Sequence, residues 1–357
     1  MKLKALTDVM TEAGIAPVVF KHHNGGAVLV SPYGARVLGV YTHAEADNAF
    51  WVNHEFATAA SLKKWISGPN HVFGGDRLWL APERGLFFKG TKEADGVAVC
   101  PQIDPGHYVV AGQDTHHIKL TAPMTAPYHL ARGTRVRAQV ERSIRMCHSP
   151  FADTPGILPE LKRVKFAGYE VATRFELQES PLDAFYAGLW FLIQLPVSGY
   201  AYFPTYGKTA ITDYYEPTGA DYLRVEESHV RFKLDSIHRH KIGIRKTEVT
   251  GRIGYLKNEV AGQSLLVVRN FLNNPSGHYA DVPLHTPAGT QDSVQSYNHV
   301  NDPAGFGEIE FHPPGVKRSM AEPVIHDTNQ VWVFTGSRAD LVPVASRLLG
   351  LAAGVFA

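Results

Sequence analysis

Two glutamates and a histidine near the end of the chain alternate with apolar residues, in the run Phe306-Gly-Glu308-Ile-Glu310-Phe-His312. This alternation predicts a β-strand, and residues two apart on a strand point to the same face of a sheet. Neighbouring carboxylates raise each other's affinity for protons, which suits one of them to acid/base catalysis. A solvated strand face would show the same pattern. Glu308, Glu310 and His312 are therefore candidate catalytic residues.

A second segment, Phe73-Gly-Gly-Asp-Arg-Leu-Trp-Leu-Ala-Pro-Glu83, places charged and aromatic side chains beside a double glycine. Glycine lets a backbone approach a ligand closely, and the guanidinium of Arg77 can hold hydroxyls or a carboxylate in its fork. Arg77, Trp79 and Glu83 are thus candidate substrate-binding residues. The structural alternative pairs Arg77 with Asp76 or Glu83 and places Trp79 in the core.

Isolated residues supply the other candidates. Lys241 lies in a predicted strand from which it can reach a groove, although an exposed lysine is the more common identity for such a residue. The histidine pairs at positions 22–23 and 238–240 lack the further ligands of a metal site, so we predict no metal. No serine-hydrolase, P-loop, dinucleotide-binding or zinc-protease motif occurs, and we predict no cofactor.

Composition limits the class of protein. The chain has 357 residues, 44% of them hydrophobic and 19% charged, with a formal net charge of +1, which favours a large folded core and gives no footprint for nucleic acid. Neither a signal peptide nor an apolar run long enough for a membrane helix is visible, so we expect no membrane association. The sequence as written predicts a cytoplasmic protein, or an exported one whose signal has been removed. Cys100 and Cys147 are compatible with one disulfide or with two thiols.

Short apolar or alternating runs, separated by turn residues every 8–15 positions, dominate the chain. They predict an all-β sandwich forming one domain over residues 1–357. Helices are expected only over residues 3–14, 61–65 and 341–351. The long segments 148–159 and 273–292 are predicted to be rim loops around a groove.

The order of four motifs resembles the galactose-mutarotase-like families. The motifs are GGDRLWLAPE, then GLWFLIQLP at residues 188–196, then KIGI with GRIGYL, then YAD followed by FGEIEFHPPG. The resemblance covers about residues 20–350 and implies the β-supersandwich fold of aldose 1-epimerases, with a sugar ligand. It also implies a glutamate as base, for which Glu310 is the best match, with Glu308 as its neighbour.

The histidine motif that supplies the acid in aldose 1-epimerases, N-H-x-Y-F-N-L, is absent. GLWFLIQLP occupies the comparable region and adds Trp190 and Gln194 as candidate binding residues, but glutamine cannot donate a proton as histidine does. His54, His116, His117 and His312 remain as possible acids, and His54 is also a candidate for binding. No spacing selects one of them.

Two classes of function follow. The first is an enzyme that acts on a mono- or oligosaccharide, with epimerisation at the anomeric carbon as the simplest reaction. A lyase or hydrolase acting on a glycoside would use the same carboxylates. The second is a non-catalytic carbohydrate-binding protein, which would hold a sugar and leave it unchanged.

Overall fold

The computed structural model describes residues 1–90, 96–281, 283, 291–300 and 305–356. Within these ranges the chain forms nineteen strands and four α-helices. The strands are β1 (Val18–Lys21), β2 (Ala27–Ser31), β3 (Arg36–Tyr41), β4 (Asp76–Ala81), β5 (Val109–Gln113), β6 (His117–Pro127), β7 (Arg135–Met146), β8 (Lys165–Glu179), β9 (Gly188–Pro196), β10 (Gly199–Pro204), β11 (Ile211–Asp213), β12 (Leu223–Val225), β13 (His229–Leu234), β14 (His240–Arg245), β15 (Arg252–Lys257), β16 (Ser264–Asn270), β17 (Asp292–Asn298), β18 (Phe306–Phe311) and β19 (Val324–Gly336). The helices are α1 (Leu3–Glu12), α2 (Ala59–Ile66), α3 (Glu83–Leu86) and α4 (Arg338–Leu349), and 3-10 turns span His54–Ala57, Pro159–Lys162 and Ala353–Phe356.

Two antiparallel sheets carry the fold. The nine-stranded sheet has the order β1-β2-β3-β4-β9-β18-β17-β14-β11, and the ten-stranded sheet has the order β12-β13-β10-β15-β16-β19-β8-β7-β6-β5. The predicted all-β sandwich is confirmed. The clean alternation from Arg135 continues through β7, whose inward residues Val136, Ala138 and Val140 are buried.

Apolar side chains from the inner faces of both sheets form one core. Leu78, Phe191 and Ile309 of the nine-stranded sheet meet Val140 and Val267 of the ten-stranded sheet in it. Because side chains alternate along a strand, the neighbours of these residues on β4, β9 and β18 point to the opposite face of the nine-stranded sheet. That face carries the candidate chemistry.

Helices cover other parts of the outer surfaces. Helix α4 begins at the N-cap Ser337, whose hydroxyl accepts from the amide of Asp340, and it packs on Trp332 and Phe334 of β19. The predicted helices near residues 3–14 and 341–351 are confirmed as α1 and α4. Phe151, in one predicted rim loop, also packs on the α4 side of the ten-stranded sheet, so that loop does not border the candidate site. The other predicted rim loop lies partly outside the described residues.

Sequence patterns missed several strands and misread one. The apolar run at residues 97–100 predicts a strand, but it forms none and contributes only an isolated bridge at Val97. The double glycine before β4 predicts a tight turn, and the sequence pattern predicts no strand after it. Gly74 and Gly75 have φ angles of +105° and +74°. A Cβ on Gly74 would lie 2.3 Å from the carbonyl oxygen of Trp51, and a Cβ on Gly75 would lie 2.4 Å from the carbonyl oxygen of Val37. The two glycines therefore permit close contact between backbone segments, not with a ligand.

A buried ion pair links the two sheets. Asp76, the first residue of β4, points into the core and pairs with Arg269 of β16, and both side chains are fully buried. The hydroxyl of Tyr169 donates to the same oxygen that Arg269 contacts, Asp76 Oδ2, at 2.8 Å. The alternative in which Asp76 pairs with Arg77 is therefore wrong.

Asp327 of β19 gives a prediction about stability. Burial raises the pKa of Asp327 to about 6, although the amide of Asn329 donates to it at 2.8 Å. The folded pKa exceeds the unfolded pKa near 4, so the stability that protonation provides is present below pH 4 and is lost as the pH rises through 6. Asp327→Asn should therefore raise the free energy of unfolding at pH 7 by about 2–3 kcal/mol, and the gain should vanish below pH 4. Urea denaturation at both pH values checks this, and an equal effect at both would contradict it.

Cys100 and Cys147 are free thiols, which excludes the disulfide between them. Among the described residues, no helix combines the length and the apolar character needed to cross a membrane.

Candidate active site

The outer face of β18 brings the three candidate catalytic residues together. Glu308 and Glu310 are 3% and 0% exposed, and His312 follows the end of the strand at 1% exposure. The ring of His312 stacks on Trp190 of β9 with a centroid distance of 5.6 Å. The predicted common face is therefore present, but it is buried and not a solvated surface.

Two donors hold the carboxylate of Glu308. Arg77 Nη2 and Gln194 Nε2 each lie 3.0 Å from Glu308 Oε1. The register explains this contact, because Gln194 is the cross-strand partner of Glu308 and Arg77 lies one strand further along the sheet. Hydrogen bonds from a cation and an amide favour the ionised form of a carboxyl group.

Trp79 and Asp104 hold the guanidinium of Arg77 in place. Its guanidinium lies over the ring of Trp79, 4.0 Å from the centroid, and its Nη1 lies 3.6 Å from Asp104 Oδ2. The indole N–H of Trp79 donates to the same oxygen at 2.6 Å. Trp79 also stacks on Phe87 at 4.4 Å, so both faces of its ring are covered. Trp79 therefore positions Arg77 and does not offer a surface to a substrate.

Glu310 has a different environment. The indole N–H of Trp190 donates to Glu310 Oε2 at 2.7 Å, and Lys241 Nζ lies 3.8 Å from the same oxygen. Burial and the nearby Glu308 and Glu83 raise the pKa of Glu310 to about 8, against the opposing effect of Lys241. A carboxyl group with this pKa is mainly protonated at neutral pH.

Lys241 is buried at 2% exposure, so the common expectation of an exposed lysine is wrong here. Its ammonium lies 3.2 Å from Glu83 Oε2 and over the rings of Trp190 and Tyr214, at 4.1 and 4.8 Å from their centroids. Burial opposes the charge of Lys241, but the neighbouring acidic groups Glu83, Glu310 and Asp281 raise its pKa above the usual value. Lys241 and His312 thus both lie against the ring of Trp190. The ring of Trp190 therefore positions these two residues and is not a surface on which a sugar stacks.

Several buried polar atoms of the site make no hydrogen bond within the described part of the chain. They include Arg77 Nε, Gln194 Oε1, Gln295 Oε1 and Glu310 Oε1. An unpaired buried donor or acceptor costs about 1–3 kcal/mol. Similar atoms also occur away from the site, for example on Arg142 and Asn329. Donors and acceptors together suit a ligand that carries several hydroxyl groups.

Half-buried side chains adjoin Glu308 and form a rim. Tyr297 is the cross-strand partner of Glu308. The hydroxyl of Tyr297 lies 2.9 Å from His299 Nδ1 and accepts a hydrogen bond from Arg239 Nε at 3.3 Å. Burial lowers the pKa of His299 to about 4, helped by Arg239 and Arg77, so its imidazole is neutral. Three further half-buried residues contact this region: Tyr215 packs on Tyr297 with a centroid distance of 5.9 Å, Trp51 on Phe306 at 4.7 Å and His71 on Trp79 at 5.8 Å.

Burial likewise lowers the pKa of His312 to about 4, with Lys241 adding to the effect and Asp281 opposing it. His312 is therefore neutral at physiological pH and a weak proton donor. His54 lies on an exposed 3-10 turn, where its ring faces Glu55 at 3.5 Å, and no described contact joins it to the site. His116 and His117 lie at the turn between β5 and β6 in the other sheet. None of these histidines supplies an evident acid.

Sequence reasoning gave too little weight to Asp281 and Gln295. The turn residue Pro283 predicts that Asp281 caps a loop. In the structure its Oδ1 accepts from the amide of Glu83 at 2.7 Å and its Oδ2 accepts from Gln295 Nε2 at 2.7 Å. Asp281 thereby fixes the residue that holds Lys241. The motif YAD contains Asp281, but Glu83, the partner of Asp281, lies 198 residues away in the sequence.

Comparisons with solved structures give remote likenesses. A putative aldose 1-epimerase from Escherichia coli K12 matches with a TM-score of 0.49 and 8% identity, over 91% of this chain and 100% of that chain. An aldose epimerase homologue from C. elegans matches with a TM-score of 0.46 and 9% identity, over 91% and 100%. A galactose 1-epimerase from Lactobacillus acidophilus NCFM matches with a TM-score of 0.44 and 9% identity, over 91% and 95%.

Identities this low say nothing about the reaction, which has to be argued from the residues of this chain. No curated protein matches the sequence. A family model matches residues 4–354, nearly the whole length. The chain therefore belongs to the family described as a family of unknown function (DUF6786).

Proposed function

We propose that the protein is an enzyme that acts on a sugar by acid/base chemistry of Glu308 and Glu310. The observation that carries the proposal is that two adjacent buried carboxyl groups, Glu308 and Glu310, have different environments. One accepts from Arg77 and Gln194, while the other has a raised pKa and an oxygen without a partner among the described residues. Pairs of carboxyl groups whose environments separate their pKa values are typical of acid/base sites.

The polar atoms around the pair support a polyhydroxylated substrate. Arg77 Nε offers a donor, and Gln194 Oε1 and Glu310 Oε1 offer acceptors, all buried on one face of the sheet. The half-buried rings of Tyr215 and Tyr297 at the rim present aromatic surface beside them. Such rings can pack against the C–H face of a sugar while their hydroxyls bond to water or ligand. Epimerisation at the anomeric carbon is the simplest reaction that this set of groups performs, because it requires one base and one acid.

Proton NMR of freshly dissolved single-anomer sugars tests the proposal. The wild-type protein should accelerate anomer exchange of at least one sugar above the rate in a protein-free sample. Selective broadening of a sugar's signals without conversion would identify a non-catalytic carbohydrate-binding protein and overturn the enzyme proposal. A panel that includes glycosides separates epimerisation from cleavage, since cleavage releases a free reducing sugar.

Arg77→Lys should weaken sugar binding by roughly 10-fold to 100-fold. Lysine keeps the positive charge beside Glu308 but cannot present the planar fork or the Nε–H of arginine. Titration of the sugar followed by NMR line broadening measures the change in Kd. Arg231→Lys is the matched control, since Arg231 lies over the ring of Tyr200 in the ten-stranded sheet, 4.8 Å from the centroid. Equal affinities for the two variants would return Arg77 to a structural role.

A further inference from the structure

We propose that Glu310 is the proton donor of the site and Glu308 the proton acceptor, so that two glutamates on one strand together perform the acid/base step. This inference rests on the proposed function and adds the acid that the sequence leaves unnamed. It reverses the role predicted from sequence for Glu310. The geometry of each carboxyl group supports the assignment separately.

Glu308 is held as a carboxylate. Arg77 Nη2 and Gln194 Nε2 both donate to its Oε1 at 3.0 Å, and neither group accepts a proton from a carboxylic acid in this arrangement. Trp79 and Asp104 also contact the guanidinium of Arg77, and these contacts help to hold it beside Glu308. A carboxylate that is ionised and fixed in this way is suited to take a proton.

Glu310 lacks an equivalent set of donors. Its Oε2 accepts from Trp190 at 2.7 Å, while its Oε1 makes no hydrogen bond within the described part of the chain. The nearest cation, Lys241, is closer to Glu83 at 3.2 Å than to Glu310 at 3.8 Å. A fully buried carboxyl group with one free oxygen is favoured in its neutral form, which can donate from that oxygen.

The surrounding charges agree with this assignment. The charged and titratable side chains around Glu310 come from β4, β14, β18 and the adjoining segments. They include Arg77, Glu83, Tyr214, Tyr215, Arg239, Lys241, Asp281, Glu308 and His312. Arg77 is bound to Glu308, and Lys241 lies among Glu83, Glu310 and Asp281. One ammonium beside three carboxyl groups leaves an excess of negative charge if all three are ionised. The raised pKa values of Glu310 and Glu83, both due first to burial, follow from the same excess.

The proposed reaction returns both glutamates to their starting protonation states. Glu308 takes the proton of the anomeric hydroxyl as the bond between the anomeric carbon and the ring oxygen breaks, and Glu310 gives its proton to that ring oxygen. The carbonyl of the open-chain aldehyde forms, Glu308 is then protonated and Glu310 is ionised. Rotation about the adjacent carbon–carbon bond and reversal of both transfers close the ring as the other anomer. No oxidant, reductant or metal ion takes part.

The pH dependence of kcat distinguishes the two assignments. The wild-type rate of anomer exchange, corrected for the protein-free rate, should fall as the pH rises through about 8, because the acid form of Glu310 is lost. A rate that rises through the same range would overturn the proposal while leaving the sugar-active enzyme in place. In Glu310→Gln, the residual rate should lack the fall near pH 8.

Infrared difference spectroscopy tests the protonation of Glu310 without a substrate. The wild type at pH 7 should show a carboxylic acid carbonyl band that is absent from Glu310→Gln and that titrates near 8. Asp327→Asn is the matched control, because it should remove a band that titrates near 6 and comes from the opposite sheet. Glu83→Gln separates the contribution of Glu83. If Glu310→Gln removes no acid band, the proposal is wrong. If the band is present but no sugar is converted, the proposed function fails independently.

Discussion

Replacing Glu310 with glutamine is expected to lower the rate of anomer exchange by roughly 10²-fold to 10⁴-fold, the usual contribution of one acid/base group. Glutamine has nearly the volume of glutamate, and its carbonyl oxygen can still accept from the indole N–H of Trp190. It has no titratable proton, so whichever transfer Glu310 performs is lost. NMR exchange rates at saturating sugar measure kcat, and line broadening at low sugar measures binding, which should be largely retained.

Glu179→Gln is the control for this substitution. Glu179 ends β8 in the other sheet and pairs with Arg135 at 3.0 Å on the surface, where both side chains are substantially exposed. It should leave the exchange rate unchanged. If Glu310→Gln behaves like this control in a protein that turns over its sugar, Glu310 has no part in the reaction.

The second large effect concerns the fold. Arg269→Met should lower the free energy of unfolding by about 3–5 kcal/mol, because it leaves Asp76 buried with only the hydroxyl of Tyr169 as a polar partner. Methionine fills much of the volume of arginine, so the loss comes mainly from the unpaired charge. The midpoint and slope of urea denaturation measure it.

Two comparisons make this result specific. Lys4→Met breaks the Lys4–Asp8 pair, whose side chains are 86% and 59% exposed, and such surface pairs contribute below about 1 kcal/mol. The double variant with Asp76→Asn and Arg269→Met removes both charges and should recover much of the loss. If the single and double variants are equally destabilised, the cost arises from packing and not from the buried charge.

Periodicity carried most of the prediction of the fold. Strands such as β7 and β8, with one face in the core, alternate in polarity, and their runs identify them. Strands β9 and β18 are buried on both faces, so they appear as continuous apolar or mixed runs, and only their turn boundaries mark them. Strand β4 was missed because its polar residues Asp76 and Arg77 are buried on opposite faces, each with a partner from a distant strand. The division of the chain into one domain stays a prediction.

Residue type selected most of the side chains that meet in the candidate site, but it did not predict how they pair. Glu308, Glu310, Arg77, Lys241 and Gln194 do lie together on one face of the sheet. Their partners could not be read from the chain, because a pairing such as Lys241 with Glu83 depends on strand order and register. The relative protonation of the two glutamates depends on burial and on which carboxyl group receives the donors. These are properties of the assembled sheet, and no local pattern encodes them.

The separation of the site residues along the chain has a consequence for folding. Arg77 and Glu308 are 231 residues apart, and Lys241 is 158 residues from Glu83. Contacts of such long sequence separation form late, since large loops must close before they contribute. A fragment must run at least from Arg77 to Glu310 to contain the paired glutamates with their donors. We therefore expect this site to be absent from any fragment that ends before β18.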